Sequence, residues 1–143
     1  MSIRLCGTVL ESALITALLQ SWPVIAPAAE AFPAKADVAV LMSQELLSGP
    51  DKEVVMLTVT YPPAGSSLPH RHDAQVFVYV LEGELTMQVR GSPPVTLRPG
   101  QTFYEAPADI HVVSANASQA LPAKILVLMI KDKGKPDTRA VTD

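Results

Sequence analysis

The stretch Leu68–Leu85, LPHRHDAQVFVYVLEGEL, decides how the rest of the chain is interpreted. Near its start are His70 and His72, two of the three histidines in the sequence, and an apolar run from Val76 leads to Gly83. Val, Phe and Tyr in such a run favour a β-strand, and a glycine between two runs is typical of a turn. The stretch therefore predicts a hairpin, with its turn at Gly83 and a His-x-His pair just before its first strand.

The rest of the chain also has the character of short strands between turns. Its 13 prolines and 7 glycines separate segments rich in Val, Leu, Thr and Tyr, and helical periodicity is scarce. Candidate strands are Val38–Met42, Glu53–Tyr61, Val76–Leu81, Glu84–Arg90, Val95–Leu97, Gln101–Glu105, His111–Ser114 and Ile125–Ile130. This spacing predicts one all-β domain over residues 32–131, a sandwich or a small barrel. The polar tail, residues 132–143, is expected to fray into solvent.

The first 31 residues have a different composition. A positive charge at Arg4 precedes an apolar region and then several alanines up to Ala31, which is the order of parts in a secretory signal peptide. The alternatives are a helix that belongs to the fold and a membrane anchor, although the apolar run is shorter than the roughly 20 residues that span a bilayer. We expect export to the periplasm or beyond from a bacterial-type cell. A net charge of −3 without a basic stripe argues against nucleic acid, and we expect no membrane association of the mature form.

The two histidines have metal-ligand spacing. Side chains at positions i and i+2 of a strand share a face, so His70 and His72 can point into one cavity while Arg71 points away. Two neutral imidazoles are well suited to bind one metal ion together. A His-x-His pair alone is also compatible with two surface histidines at a loop edge.

The wider pattern resembles the two sequence blocks of the cupin superfamily. Gly65, His70, His72 and Gly83 match the first block, and Gly100 and His111 match the second, within a resemblance that covers about residues 54–130. The resemblance implies a double-stranded β-helix, or jelly roll, in a small single-domain cupin. It also implies a divalent metal ion, such as iron, manganese, nickel or zinc, in the mouth of the barrel.

One departure from the resemblance affects the metal site directly. The position of the family's ligating glutamate is occupied by Val76, which cannot coordinate a metal. Three alternatives follow. His70, His72 and His111 form a three-histidine site with open positions; a further ligand comes from Gln75 or Glu105; or no metal binds and the cavity is a plain pocket.

Glu105 is the candidate catalytic residue. Because strand side chains alternate, only one of Tyr104 and Glu105 can face inward. A buried glutamate beside a metal would be a suitable general base. In the alternative interpretation, Glu105 lies at a turn and its carboxylate pairs with Arg98 or another basic residue on the surface.

The strand after the histidines suggests the nature of the ligand. If Val76 keeps the inward direction of the family's glutamate, Val78 and Val80 also face inward and Phe77 faces outward. The alternative is that the aromatic residues of this region belong to the core. An aliphatic inner wall favours an apolar or aromatic small molecule over a sugar.

Two functions of different classes remain open at this point. The first is a divalent-metal-dependent enzyme, of the oxygenase, isomerase or lyase class, in which Glu105 or metal-bound water moves protons. The second is a non-catalytic module that holds a small ligand or the metal, and Val76 favours it. A homodimer is also expected, because Asp37–Leu47 could pair as a strand with a second copy.

Overall fold

The computed structural model describes residues 35–47, 49 and 51–141, all within one compact unit, Ala31–Asp143. The predicted leader, residues 1–31, lies outside the described residues, as do the last two residues of the polar tail. No helix in the described ranges has the length and hydrophobicity needed to cross a membrane.

The described part of the chain consists of strands joined by turns. The strands are β1 (Asp37–Glu45), β2 (Lys52–Tyr61), β3 (Ser66–Ser67), β4 (His70–Arg71), β5 (Ala74–Glu82), β6 (Leu85–Val89), β7 (Val95–Leu97), β8 (Thr102–Glu105), β9 (Ile110–Asn116), β10 (Ala123–Asp132) and β11 (Arg139–Ala140). The eight predicted strands are confirmed, each within a few residues of its predicted ends. The three strands that the sequence did not predict, β3, β4 and β11, have only two residues each.

The strands form two antiparallel sheets. The five-stranded sheet has the order β1-β2-β10-β5-β8, and the other has the order β11-β4-β9-β6-β7, with β3 paired to β9. This arrangement confirms the predicted all-β jelly roll. Buried aliphatic side chains of both sheets, such as Leu57, Val127 and Met87, form the core between them.

The alternation predicted for β5 is confirmed. Val76, Val78 and Val80 are at most 3% exposed, whereas Phe77 and Tyr79 are 42% and 44% exposed. The alternative interpretation, in which Phe77 and Tyr79 of this strand belong to the core, is therefore wrong. Aliphatic side chains face the interior and the aromatic rings lie on the outer surface.

The predicted hairpin at Gly83 is wrong, although the turn itself is present. Strand β5 pairs with β10 and β8, while β6 pairs with β9 and β7, so the turn connects the two sheets. Gly83 has a φ of 72° and packs against Pro122 and Ala123. Strand β6 instead forms a hairpin with β7, which turns at Gly91, beyond the other end of β6.

The prediction that the tail frays into solvent is also wrong for its described residues. Strand β11 pairs with β4, in the register Arg139 to Arg71 and Ala140 to His70. Lys131, 5% exposed, forms an ion pair that holds Asp137 of the tail. The tail therefore lies along the strand that carries the first histidine.

Candidate functional site

Three imidazole rings converge between the sheets. His70 on β4 lies directly opposite His111 on β9, and their ring centres are 5.2 Å apart. His72 follows β4, and its ring centre is 4.9 Å from that of His70. His72 and His111 are buried, and Arg71 between the first two histidines is exposed. The structure thus brings together all three histidines that the sequence singled out.

Each ring is held through the same nitrogen, Nδ1. His70 Nδ1 donates to the Leu68 carbonyl at 2.8 Å, and His72 Nδ1 donates to the Asp137 carbonyl. His111 Nδ1 lies 3.2 Å from Glu105 Oε1. A carbonyl or carboxylate on one nitrogen of a histidine is the usual support for a ring whose other nitrogen binds a metal. Nε2 is therefore the nitrogen available in each ring.

Glu105 supplies the carboxylate of the site. It ends β8 directly opposite Val76 of β5, and it is 3% exposed while Tyr104 is 50% exposed. Its Oε2 lies 3.8 Å from His72 Nε2. The alternative pairing with Arg98 is wrong, because Arg98 binds Glu84 at 2.9 Å on the surface. A carboxylate therefore reaches the space beside the residue that replaces the family's glutamate.

The protonation states follow from burial and from these contacts. Burial lowers the pKa of His70, the neighbouring His72 and His111 rings lower it further, and the Leu68 carbonyl only partly opposes them. For Glu105, burial raises the pKa, but the hydrogen bond with His111 and the attraction of the imidazoles lower it to below its usual range. At neutral pH the site accordingly holds a neutral His70 and an ionised Glu105.

Gln75 does not join this group. Its side chain is exposed on the outer face of β5, and the residue on each side of it, Ala74 and Val76, is buried. The suggested ligand role of Gln75 has no support from this placement.

The histidines and Glu105 line a cavity of about 570 Å³ between the sheets. Its wall is largely aliphatic, with residues such as Val78, Ile125 and Val127 from the five-stranded sheet. Part of the wall carries hydroxyl groups: Tyr61 Oη lies 2.6 Å from Ser114 Oγ and 3.2 Å from Ser67 Oγ. An apolar molecule with one or two polar groups fits a wall of this kind.

Sequence reasoning missed three contributors to the site. Tyr61 could have been found, since Leu57, Val59 and Tyr61 alternate along β2 and all line the cavity. Phe103, whose ring centre is 5.9 Å from that of His111, lies two residues before Glu105 on β8 and shares its inward face, so the same alternation applies to it. Asp137 contributes its backbone carbonyl, which any residue has, so no side-chain pattern could have identified it.

The donor set fits a first-row metal ion in its chemistry. Two buried polar atoms, His111 Nε2 and Glu105 Oε2, have no hydrogen-bond partner. Two imidazoles that share an ion at about 2.0 Å per bond have ring centres roughly 4.5–5.2 Å apart, which matches the two measured separations. Among the described residues, no group of three or more His, Cys, Asp or Glu side chains has the arrangement of a metal-binding cluster. The two ring separations from His70 thus suit a shared ion, whereas the donor atoms of the described residues do not have the arrangement of an assembled metal site.

A family model and several solved structures match the chain. The model of the cupin domain matches residues 57–129, just over half of the 143 residues. Among curated proteins, no sequence matches. A cupin domain from Bordetella pertussis Tohama I is similar in structure, with 21% identity and a TM-score of 0.57 over 71% of this chain and 98% of that one.

Two structures of enzymes are also similar. The DMSP lyase DddQ from Ruegeria pomeroyi DSS-3 has 21% identity and a TM-score of 0.60 over 74% of this chain and 51% of the lyase. An oxalate oxidase in complex with the substrate analogue glycolate has 26% identity and a TM-score of 0.54 over 62% of this chain and 46% of the oxidase. The chain thus spans about half the length of each enzyme chain.

Proposed function

This chain belongs to the cupin family, and from that premise we propose that it binds a divalent metal ion through His70, His72 and His111. The convergence of the three rings around one space, each with Nδ1 already bonded and Nε2 available, carries this proposal. Imidazole ligands suit iron, nickel and zinc, and a nearby carboxylate extends the choice to manganese.

We further propose that the protein is an enzyme that acts on a small organic molecule with an apolar body. Aliphatic side chains make up most of the cavity wall, so burial of apolar surface would supply most of the binding energy. The Tyr61, Ser67 and Ser114 hydroxyls offer neutral hydrogen bonds to a polar group on that molecule.

The chemistry of the chain's own residues centres on a proton transfer. Glu105 Oε2 has no hydrogen-bond partner, and the carboxylate is ionised at neutral pH, so Oε2 can accept a proton from a bound molecule. Glu105 Oε1 meanwhile accepts from His111 Nδ1 and keeps that ring in one orientation. A bound ion would add a Lewis acid or, if it is redox-active, a place for dioxygen. Oxygenase, isomerase and lyase chemistry are all compatible with this set of groups.

A non-catalytic metal- or ligand-binding module is the second candidate. Val76 favours it, because this position lacks the glutamate that the cupin resemblance associates with catalysis. The buried Glu105 opposite Val76 favours the enzyme, since a carboxylate is still delivered to the site.

We also propose export to the periplasm or the outside of the cell, on the strength of the signal-like first 31 residues. A homodimer is proposed as well. The outer face of the five-stranded sheet carries exposed apolar side chains from edge strand β1 to edge strand β8, among them Met42, Phe77 and Tyr104. Exposed apolar patches on soluble domains commonly mark interaction surfaces.

The metal site is tested by titrating the metal-free protein with zinc, cobalt(II), manganese and nickel. We expect one ion per chain, and we expect His72→Ala to weaken binding by at least about 100-fold because a ligand is lost. Gln75→Ala is the matched control, since it removes a nearby exposed side chain, and it should bind like the wild type. No binding by the wild type, or equal losses in both variants, would overturn the proposed site.

Glu105→Gln separates the enzyme from the binding module. It keeps the shape of the side chain and a hydrogen bond to His111 while removing the base. Once a substrate is found by screening apolar small molecules against the metal-loaded protein, an enzyme should lose turnover by about 100-fold or more and keep substrate affinity. Retained turnover would remove Glu105 from the mechanism, and tight binding of a molecule that is never converted would favour the module.

A further inference from the structure

We propose that the C-terminal strap, residues 133–141, positions His72 for metal binding, and that buried Lys131 holds the strap in place. This inference rests on the proposed metal site. Lys131 is a positioning residue in this scheme, because it acts on the site only through Asp137.

The strap contacts both histidines of the His-x-His pair. The Asp137 carbonyl accepts a hydrogen bond from His72 Nδ1, and Thr138 Oγ1 lies 3.5 Å from the same nitrogen. Ala140 is the register partner of His70 in the β11–β4 pair. Asp137, Thr138 and Ala140 also line the cavity. The strap thus forms one side of the site.

Lys131 is an unusual anchor because it is a buried cation. Its side chain is 5% exposed, and lysines are rarely buried to this extent unless they are paired. Its Nζ lies 2.9 Å from Glu53 Oε1 and 2.9 Å from Asp137 Oδ1, and it donates a third hydrogen bond to the Lys135 carbonyl. All three donors of the ammonium group are used, two of them on the strap.

Asp137 connects the anchor to the site. Its carboxylate binds Lys131 and its carbonyl binds His72, so a single residue joins the buried cation to the imidazole. The ammonium remains charged, because burial lowers the pKa of Lys131 but its hydrogen bonds to Glu53 and Asp137 raise it by more. With Asp137 held, the proton of His72 stays on Nδ1, which leaves Nε2 as the metal ligand.

A second ion pair on the strap provides a matched control. Arg139 binds Asp73 at 2.9 Å, and both side chains are exposed, at 42% and 38%. This pair also joins the strap to the loop after β4, but it has no contact with Asp137 or with Lys131 among the described ion pairs. Exposed pairs of this kind contribute little. Arg139→Gln should therefore leave the position of His72 unchanged.

The test compares Lys131→Met with Arg139→Gln in the full chain. In the metal-free protein, we expect Lys131→Met to abolish the slowly exchanging His72 Nδ1–H signal in proton NMR and to speed amide exchange at Ala140. Zinc affinity, measured by competition with a chelator, should fall by about 10- to 100-fold, as for other lost supports of a metal ligand. Arg139→Gln should change the affinity by less than about 3-fold, the size of a weak surface pair.

Several outcomes would overturn the inference. A protected Nδ1–H in Lys131→Met would do so, as would an affinity equal to that of Arg139→Gln. If Lys131→Met does not fold, Asp137→Asn replaces it, since it keeps the carbonyl and weakens only the link to Lys131. If the wild type binds no metal, the proposed function fails, while the NMR and exchange measurements still decide whether Lys131 and the strap orient His72.

Discussion

Val76 and Glu105 lie directly opposite each other on β5 and β8, and both are buried. Opposite residues of an antiparallel pair have Cβ atoms about 4.5–5.5 Å apart, so side chains from either position reach nearly the same space. The exchange of a glutamate for a valine at position 76 is thus compatible with a carboxylate in the site. The carboxylate comes from β8 and not from β5, and from β8 it contacts His111.

This placement predicts the result of moving the carboxylate between strands. We expect Glu105→Val to weaken zinc binding by at least about 10-fold, as for other carboxylates that support a metal-binding histidine. The double variant Val76→Glu/Glu105→Val should recover most of that loss. Competition titration measures both affinities. A double variant no tighter than Glu105→Val would show that position 76 cannot substitute for position 105.

The single variant Val76→Glu is the control for crowding. It puts two carboxylates within a few ångströms in a buried space, where like charges disfavour ionisation of both. We expect it to lower the free energy of unfolding by about 2 kcal/mol or more, as measured by urea denaturation.

Part of the site was predictable from single residues because strand alternation is local. His70 and His72 share a face by their spacing, and the inward side of Val76 follows from the same rule. The choice between Glu105 as a base and as a partner of Arg98 was not predictable, since it depends on which strand Glu105 faces. The Lys131–Asp137 ion pair was not predictable either. A polar tail has the same sequence pattern whether it pairs with a strand, as here with β4, or extends into solvent.

At the scale of elements, strands with an apolar alternation were predictable and the short strands were not. Two residues, as in β4 and β11, are too few to show a period of two, and these strands exist only through their pairing with β9 and with each other. The Gly83 turn was predictable from composition. Its role as a connection between sheets, and not as a hairpin, is a property of the topology.

The Gly83 turn gives a stability prediction with a matched control. Gly83 and Gly91 both have positive φ, but a Cβ at Gly83 would lie 2.6 Å from the Pro122 carbonyl oxygen, whereas at Gly91 nothing lies within 4 Å. We expect Gly91→Ala to cost about 1 kcal/mol from backbone strain alone. Gly83→Ala should cost about 3 kcal/mol or more, because backbone must also move. Equal costs in urea denaturation would mean that the turn relaxes freely.

The Glu53–Lys131 contact between β2 and β10 predicts a pH dependence. The hydrogen bond from Lys131 and that from the Gly134 amide hold the pKa of Glu53 below its usual range. The unfolded chain therefore binds this proton first as the pH falls, so the stabilisation is present above about pH 4.5 and is lost as the pH falls through the folded pKa. Urea denaturation between pH 6 and 3 should show a shallower loss of stability for Glu53→Gln than for the wild type. Glu84→Gln, on an exposed pair with Arg98, is the control, and an unchanged slope for Glu53→Gln would contradict the assignment.

At the scale of the whole molecule, the five-stranded sheet has an apolar row on its outer face. The register places Met42, Met56, Leu128, Phe77 and Tyr104 side by side across all five strands. The solvent face of an antiparallel sheet is ordinarily polar. The five strands contain 42 residues (9, 10, 10, 9 and 4). At about 3.4 Å per residue and about 4.8 Å between strands they give a face of roughly 700 Å², which approaches the roughly 800 Å² per partner of a stable interface.

We propose a second copy of the chain as the partner for this face. The row has no charged side chain, so it can pack against itself about a two-fold axis without bringing like charges together. We expect the wild type to sediment as a dimer at micromolar concentration. Phe77→Lys should raise the dissociation constant by about 30-fold or more, because it puts a cation at the centre of the interface. Thr96→Lys, exposed on the other sheet, should leave the dimer intact. A monomeric wild type, or equal effects of the two lysines, would mean that this face is not the interface.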